Sequence, residues 1–340
     1  MKRGTRHATN LAHHGGSQGL GRALVLAVLE AGDNVVVTSR KPEALASLRA
    51  EHPDQLEAVA LDVTSASQSR DVVTAAVERF GSVDVVVNNA GYATSGSIED
   101  FPEDEFRAQV DTNLYGVVNM TRAVLPVMRR QRSGHIVQIS SIGGRVGGTP
   151  GLSAYQTAKF AVEGFSEALA NEVVPFGVKV TIVEPGGIRT GWATGAAEPS
   201  GPVTPDYEET VGLWLARFAD YAGNEPGDPD RMARAIIGAV DAEEPRAGCC
   251  SAATPWRSRS ARRKAVWPRP ASGQRSAVPR TTPPPDGTVR ARRRAGRSTG
   301  SPGAARADRP AQYGLSGRIR TCGPDRALAT GHGCAPAPSR

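Results

Sequence analysis

An alternation of two periodicities between Gly19 and Pro185 limits the fold of this chain more than any other sequence feature. Short β-branched runs alternate there with longer segments of helical period, as in a parallel sheet covered by helices. Each run is almost continuously apolar, as a strand buried on both faces must be. The predicted strands are Val35–Thr38, Leu56–Leu61, Val83–Val87, His135–Ile139 and Val178–Val183. We therefore predict an α/β fold with a doubly wound parallel sheet, and a ligand site beyond the carboxyl ends of its strands.

Composition divides the chain near Pro245. Residues 246–340 hold 20 of the 41 Lys and Arg residues, 3 of the 34 Asp and Glu residues, 12 of the 25 Pro and all four Cys, but only six Leu, Ile or Val and no Phe. That is too little apolar surface for a core. We expect one folded domain over residues 15–244, followed by a disordered basic tail over residues 245–340.

A glycine cluster lies where the first strand-to-helix turn is expected. It reads His14-Gly15-Gly16-Ser17-Gln18-Gly19-Leu20-Gly21-Arg22. Glycines allow the backbone to turn tightly and to approach a pyrophosphate, which would then sit at the positive end of the following helix. An ordinary flexible turn can contain the same cluster, so its meaning depends on the rest of the chain.

Further motifs follow in a fixed order over residues 15–189. The matching residues are Gly15, Gly19, Gly21, Asp62, Val63, Asn88, Asn89, Ala90, Gly91, Asn113, Ser141, Tyr155, Lys159, Pro185 and Gly186. In these positions the chain resembles the short-chain dehydrogenase/reductase family. The resemblance implies a single Rossmann-type domain, and an oxidoreductase that interconverts a carbonyl and an alcohol with a nicotinamide cofactor.

The resemblance also implies a role for each matched residue. Tyr155 would exchange a proton with the substrate oxygen, Ser141 would hydrogen-bond the carbonyl, Lys159 would hold the nicotinamide ribose, and Asn113 would order a water relay to Lys159. No metal is implied. The expected cofactor contacts are Gly15, Ser17, Gly19, Leu20, Gly21, Arg40, Asp62, Val63, Asn89, Ala90, Gly91, Tyr155, Lys159, Pro185, Gly186 and Ile188.

Tyr155 and Lys159 are four residues apart, so a helix would present both on one face. An ammonium beside a phenol favours the phenolate, so we expect the pKa of Tyr155 to fall from about 10 toward the working pH. Alone, such a pair would be read as a solvated helix face. The serine pair and the glycine-rich loop favour a reactive site instead.

The interval between Ser141 and Tyr155 is one residue longer than is usual in the family. A bulge at Gly147-Gly148 could absorb the extra residue, because glycine tolerates unusual backbone angles. Ser140 is the weaker alternative for the serine role.

Cofactor choice depends on the residues after the second strand. An acidic residue there would bind the 2′-hydroxyl of NAD and repel a 2′-phosphate. The sequence instead reads Thr38-Ser39-Arg40-Lys41, and the planar guanidinium of Arg40 suits a phosphate. We therefore expect NADP(H) to be favoured over NAD(H), although Arg40 and Lys41 could also be ordinary surface charges.

Residues 187–244 should include a substrate lid. Their apolar side chains suit a small-molecule carbonyl or alcohol, with Trp192 and Trp214 serving either as pocket walls or as packing; the set is Trp192, Leu213, Trp214, Phe218 and Tyr221. The longest apolar run, Ala23 to Leu29, has seven residues, against about 20 for a membrane span. We expect no membrane association, a cytoplasmic location, and a homodimer or homotetramer, the last by resemblance.

Both ends of the chain depart from the family. Residues 1–14 form an aberrant segment, because Arg6 to His14 lacks the apolar character of a central parallel strand. Adjacent histidines, His13 and His14, point apart on a strand and do not make a metal site. A shifted reading frame explains the segment better: a permitted encoding of Leu11 to His14, with one base dropped, reads Trp-Leu-Ile-Thr, which is the expected strand.

The tail permits the same reading. A permitted encoding of Cys249 to Gly273, read one base out, gives a strand followed by an amphipathic helix. The competing interpretation is a disordered arm that binds nucleic acid through its arginines. We favour the shifted frame over a nucleic-acid partner. A catalytically impaired dinucleotide sensor or scaffold, or a frameshifted pseudo-enzyme product, stays open as an alternative to an active enzyme.

Overall fold

The computed structural model of the protein describes residues 10–242, and for residues 10–14 the backbone only. The expectations for residues 1–9 and 243–340, including the disordered tail, lie outside the described residues. Six parallel strands form one sheet in the order β3-β2-β1-β4-β5-β6. They are β1 (Asn10–His14), β2 (Asn34–Ser39), β3 (Leu56–Ala60), β4 (Val85–Asn88), β5 (Gly134–Ile139) and β6 (Val178–Val183).

Nine helices of the described part connect and cover these strands. They are α1 (Gly19–Glu30), α2 (Ala46–Glu51), α3 (Ala66–Phe80), α4 (Glu103–Val110), α5 (Gly116–Gln131), α6 (Ser153–Glu172), α7 (Trp192–Ala197), α8 (Leu213–Tyr221) and α9 (Pro229–Val240). This arrangement confirms the predicted doubly wound α/β fold. Within residues 10–242, none of the helices is long and apolar enough to cross a membrane.

Alternate side chains of the strands enter two separate core layers. Val35 and Val37 of β2 pack with α1 and α9 on one face, whereas Val36 packs with α3, α5 and α6 on the other. The three valines are at most 1% exposed, so β2 is buried on both faces, as its continuous apolar run predicts.

β1 is a central strand, so the prediction that this segment could not form one was wrong. It pairs with β2 from Asn10↔Asn34 to His14↔Thr38, and with β4 from Leu11↔Val85 to His14↔Asn88. Parallel pairing uses backbone N–H and C=O groups, so a segment without an apolar pattern can fill a ladder that two flanking strands define. The sheet order reverses between β1 and β4, which makes their carboxyl ends the switch point where ligands bind.

Candidate active site

The glycine loop joins the end of β1 to α1 beside this switch point. The amides of Gly15 and Gly16 donate to the carbonyl of Thr38 at 3.2 and 3.3 Å. Gly15 has φ +78° and Gly19 has φ +53°, a region that residues with a Cβ seldom adopt. The loop conformation therefore depends on glycine at both positions.

Gly21 makes close packing of α1 against this loop possible. A Cβ at Gly21 would overlap the carbonyl oxygen of Gly15, which also accepts from Asn89 Nδ2 at 3.3 Å. The residue that precedes α1, Gln18, makes no side-chain capping bond to the helix. Backbone amides at the positive end of α1 are thus left to an anion, and the loop fits the pyrophosphate of a dinucleotide.

Arg40 and Asp62 follow the neighbouring strands β2 and β3. Arg40 is exposed. Hydrogen bonds from the Thr64 hydroxyl and amide lower the pKa of Asp62, and the positive charge of Arg40 lowers it further. Arg40 also acts electrostatically on Tyr92, which comes directly after Gly91. The guanidinium therefore lies at the carboxyl edge of the sheet, on the side of the glycine loop.

Three of the expected cofactor contacts have side chains that pack elsewhere. Leu20 and Val63 are 9% and 8% exposed and belong to the two core layers. Ile188 is half-buried against the core that contains α1. Burial of the Leu20 and Val63 side chains leaves mainly their backbone for contact with a nucleotide, which the sequence could not distinguish from a side-chain contact.

Ser141 and Tyr155 face each other across a short 3-10 turn, Ile142–Gly144. The Ser141 hydroxyl accepts from the Gly143 amide at 3.0 Å, and a Cβ at Gly143 would lie 3.4 Å from Ser141 Oγ and 3.6 Å from Tyr155 Cε1. Ser140 points to the other side of the turn, toward Gly144. The geometry thus brings Ser141, and not Ser140, to the tyrosine.

The expected lowering of the tyrosine pKa is not found in this structure. Tyr155 is 7% exposed, and burial raises its pKa to about 12 despite the hydrogen bond from Ser141. Lys159 Nζ lies 5.7 Å from the centre of the phenol ring and donates to the carbonyl of Ile139 at 2.7 Å. The expectation considered only charge, whereas the loss of water around a buried phenol disfavours the phenolate more strongly.

Lys159 and Asn113 border a space in front of Gly91. A Cβ at Gly91 would lie 2.5 Å from Asn113 Oδ1 and 3.7 Å from Lys159 Nζ, so glycine keeps this space open. Burial lowers the pKa of Lys159 to about 8, and the charge of Glu163 opposes that shift. The lysine can therefore change its protonation state near neutral pH.

A π-helical turn, Asp111–Tyr115, holds Asn113 between α4 and α5. Its Nδ2 donates to the carbonyls of Tyr92 at 2.9 Å and Gln109 at 2.8 Å. These two bonds orient the amide, and the buried Oδ1 has no protein partner. Single π turns within helices are frequent at functional sites, and this one presents an unsatisfied acceptor to the space beside Lys159.

The additional residue before Tyr155 lies in the loop that precedes α6. Gly148 has φ +95°, and its amide donates to Gln156 Oε1 at 3.2 Å. On the opposite side of the site, the carbonyl of Pro185 accepts from the Ile142 amide at 2.9 Å. This bond ties the Pro185-Gly186 turn to the loop that carries Ser141.

A row of aromatic side chains covers Tyr155. The Trp192 ring lies 4.8 Å from the Tyr155 ring, centre to centre, and 6.3 Å from Phe218. Phe218 stacks on Trp214 at 4.6 Å and packs against Tyr221 at 5.8 Å. In this structure both tryptophans pack against other aromatic rings, and Trp192 lies against Tyr155.

Within residues 187–244, α9 belongs to the sheet core with α1, so the aromatic cover of Tyr155 comes from the residues before it. Sequence reasoning missed Thr190, whose side chain lies beside Gly19: a Cβ at Gly19 would be 3.1 Å from Thr190 Cβ. Its position five residues after Pro185 was the available signal. Among the described residues, no group of three or more His, Cys, Asp or Glu side chains could hold a metal ion.

Residues 13–200 match the family described as short chain dehydrogenase. Oxidoreductase BOA17 of Botryotinia fuckeliana is 47% identical over 232 residues, which are 68% of this chain and 84% of that protein. A short-chain dehydrogenase from Streptomyces avermitilis, solved by crystallography, is 41% identical with a TM-score of 0.63, over 71% of this chain and 87% of that one. ElxO with bound NADP is 26% identical with a TM-score of 0.58, over 70% of this chain and 94% of ElxO. A short chain dehydrogenase/reductase from Burkholderia phymatum in complex with NAD is 23% identical with a TM-score of 0.61, over 68% of this chain and 86% of that one.

Proposed function

Because the chain belongs to the short-chain dehydrogenase family, we propose that it is an NADP(H)-dependent oxidoreductase that interconverts a carbonyl and an alcohol, with Tyr155 as the general acid and base. The observation that carries this proposal is that Ser141 Oγ and Tyr155 Cε1 both lie beside Gly143, next to the space that Lys159, Asn113 and Gly91 border. One acid, one hydroxyl donor and one cation then converge on a single reacting group.

The bound cofactor supplies the chemistry of hydride transfer between its nicotinamide and the carbonyl carbon. In the direction of reduction, the hydride would come from the cofactor, and Tyr155 would give its proton to the carbonyl oxygen. Ser141 donates a hydrogen bond to the same oxygen and so stabilises the negative charge that develops there.

Lys159 and Asn113 supply the means to restore the proton on Tyr155. The ammonium stabilises the phenolate that is left after proton transfer. The free Oδ1 of Asn113 can hold a water against Lys159, since buried waters occupy sites with several polar partners. Protons can then pass from solvent toward Lys159 without any movement of the sheet.

Cofactor preference in this proposal rests on Arg40. Its guanidinium is exposed at the end of β2, where an acidic residue would favour NAD. The pyrophosphate would lie at the positive end of α1 against Gly15, Gly19 and Gly21, and the 2′-phosphate would reach Arg40. A planar, permanently charged donor suits that phosphate.

We further propose that a second copy of the chain covers the outer surface near Asn113 and Tyr155. Three large apolar side chains are exposed on or beside α4, α5 and α6, namely Ile98 at 79%, Tyr115 at 54% and Phe160 at 46%. Exposed apolar side chains of this kind are typical of protein interfaces. Sedimentation of the full chain should show a dimer or tetramer, and a monomer at micromolar concentration would contradict this.

The direct test of the function is a panel of small carbonyl compounds with the purified full chain and NADPH, with oxidation of the nicotinamide followed by its absorbance. Aliphatic, alicyclic and aromatic ketones should be included, because the lid is aromatic. NADPH oxidation that requires a carbonyl and yields the alcohol would support the proposal. Tight NADPH binding with no turnover across the panel would favour a dinucleotide sensor instead.

A further inference from the structure

Three charged side chains join the segments that carry the site, and none of them touches the reacting group. Arg145 directly follows the 3-10 turn that begins after Ser141. Its Nη2 forms an ion pair with Glu184 Oε1 and lies 3.5 Å from Glu163 Oε2. We call Arg145, Glu163 and Glu184 the Arg145 clamp.

Each member of the Arg145 clamp belongs to a different functional segment. Glu163 is on α6, one turn beyond Lys159 and two turns beyond Tyr155. Glu184 stands between the end of β6 and the Pro185-Gly186 turn. The guanidinium therefore links the serine loop, the Tyr-Lys helix and the cofactor-side turn at one point.

The carboxylates of the clamp are deeply buried, with Glu163 8% and Glu184 2% exposed. A buried carboxylate without a cation is costly, and breaking a buried ion pair from one side commonly destabilises a protein by roughly 3–5 kcal/mol. A single guanidinium lies against both carboxylates. Its one positive charge can balance only one of them, and the pKa of Glu163 stays raised. Replacing a whole buried ion pair by neutral groups is often harmless to stability, so a contribution to folding stability alone does not account for the clamp.

The serine loop also approaches α6 unusually closely beside the clamp. A Cβ at Gly144 would lie 2.7 Å from Ser140 Oγ and 2.9 Å from the carbonyl oxygen of Lys159. A small shift of the loop would thus move Ser141 and the backbone of Lys159 relative to each other.

We propose that the Arg145 clamp positions Ser141 against Tyr155 and Lys159, and holds both in register with the Pro185-Gly186 turn. The proposal rests on the function given above, because it assigns the clamp to the geometry of that site. Arg145, Glu163 and Glu184 are positioning residues. They act through the backbone segments that they join.

The electrostatic surroundings of the clamp agree with this assignment. The pKa of Glu163 is raised, mainly because the carboxyl group is buried. The Ser140 hydroxyl and the charge of Arg145 reduce this shift, and the charges of Glu184 and Glu167 increase it. Burial lowers the pKa of Arg145. The contact with Glu184 and the negative charges of Glu184, Glu163 and Glu167 outweigh this effect, so the pKa of Arg145 is raised overall. The groups of the clamp thus depend on one another for their charge.

The test removes the ion pair between Arg145 and Glu184 and leaves the net charge of the protein unchanged. The double variant Arg145→Met with Glu184→Gln deletes one positive and one negative charge and leaves Glu163 beside Lys159. We expect kcat to fall about tenfold or more, because small displacements of catalytic groups are that costly, while KM for NADPH stays within about threefold. Because Glu163 stays buried without its guanidinium, we expect the melting temperature to fall, so kcat is measured at a temperature at which the melt shows the variant fully folded. The pH at which kcat/KM declines should not move.

Arg145→Lys and Glu167→Gln are the companion variants. Lysine keeps the positive charge but lacks the planar guanidinium that reaches two carboxylates. Arg145→Lys should therefore fold normally, with a kcat between those of the parent and the double variant. This variant decides the matter if the double variant does not fold. Glu167→Gln changes an exposed acid on the same helix and should leave kcat unchanged.

Two results would overturn the proposal: a folded double variant with the kcat of the parent, or an Arg145→Lys variant with the kcat of the parent. A kcat loss that merely follows the loss of folded protein on melting would also refute positioning. Failure of the parent to reduce any carbonyl would refute the proposed function and, with it, this role. Melting with and without NADPH, measured on the same samples, reports the fold independently of activity.

Discussion

The two halves of the sheet's carboxyl edge are built by different means. In the half formed by β1, β2 and β3, the decisive features are backbone features: glycines with positive φ, a helix start without a side-chain cap, and a Gly21 position that excludes a Cβ. In the half formed by β4, β5 and β6, the decisive features are buried side chains. Tyr155, Lys159 and Asn113 are each at most 7% exposed. We call these the cofactor half and the catalytic half.

The comparison suggests a division of labour. A backbone cradle can bind an anion but has no group that changes protonation near neutral pH, whereas buried ionisable side chains can exchange protons because burial shifts their pKa values. Changes in the cofactor half should therefore alter nucleotide binding, and changes in the catalytic half should alter turnover.

The largest effect on binding is expected from Gly21→Ala. The added Cβ would overlap the carbonyl oxygen of Gly15, so the loop must move away from α1. Overpacking of this kind costs roughly 1–3 kcal/mol, which corresponds to about a 5-fold to 150-fold loss in NADPH affinity. Titration of nucleotide fluorescence measures it.

Gly164→Ala is the matched control, because a Cβ at this helical position has nothing within 4 Å. It should leave affinity unchanged and stabilise α6 by up to about 1 kcal/mol. Equal NADPH affinities for Gly21→Ala and Gly164→Ala would remove the steric argument for the cradle.

Arg40→Asp should change which nucleotide the cofactor half prefers. The new carboxylate repels a 2′-phosphate and can accept from a 2′-hydroxyl, and a lost hydrogen bond to a charged group is worth roughly 1.5–3 kcal/mol. The ratio of NADPH to NADH affinity should therefore fall by about tenfold or more. Arg130→Asp, in the last turn of α5 at the opposite edge of the sheet, makes the same charge change and should leave the ratio as it was.

The catalytic half should show a pH dependence governed by Lys159. Its pKa is lowered to about 8, so the ammonium that stabilises the phenolate is present below that pH and is lost as the pH rises through it. We expect kcat/KM for carbonyl reduction to decline by about tenfold per pH unit above this pKa. Lys159→Arg, which stays charged, should lack the decline even if its rate is lower, and an identical decline in both proteins would assign it to another group.

Much of the scaffold was predictable because its causes are local in sequence. Continuous apolar runs gave β2, β3, β5 and β6 within one or two residues, and glycine chemistry gave the loop before α1. The raised pKa of Tyr155 was not predictable, because its cause is a lid that begins at Trp192, far along the chain. The Arg145 clamp could not be predicted for the same reason, because its three charged residues lie in segments that are separate in the sequence.

β1 shows where pattern reasoning failed and what it still suggests. The backbone of Asn10–His14 pairs on both sides, yet the strands beside it are buried in both core layers, a setting that favours apolar side chains.

We predict that sequencing of the coding DNA around Leu11 to Gly16 and around Pro245 to Cys249 will reveal shifted frames. The protein encoded by the corrected reading frame should have a higher melting temperature than the chain as written, and NADPH should raise that temperature further. DNA that supports the present frame at both places, with a cooperative NADPH-stabilised melt of the chain as written, would contradict this.

The separation of binding from chemistry is tested most directly by Tyr155→Phe, with kcat and the Kd for NADPH measured on the same preparation. The substitution removes only a hydroxyl from a buried ring. We expect kcat to fall by about 10²–10⁴ while the Kd for NADPH stays within about threefold of the parent. Turnover within about tenfold of the parent would end the assignment of Tyr155 as the proton donor, and a parallel loss of turnover and NADPH affinity would show that the two halves do not work separately.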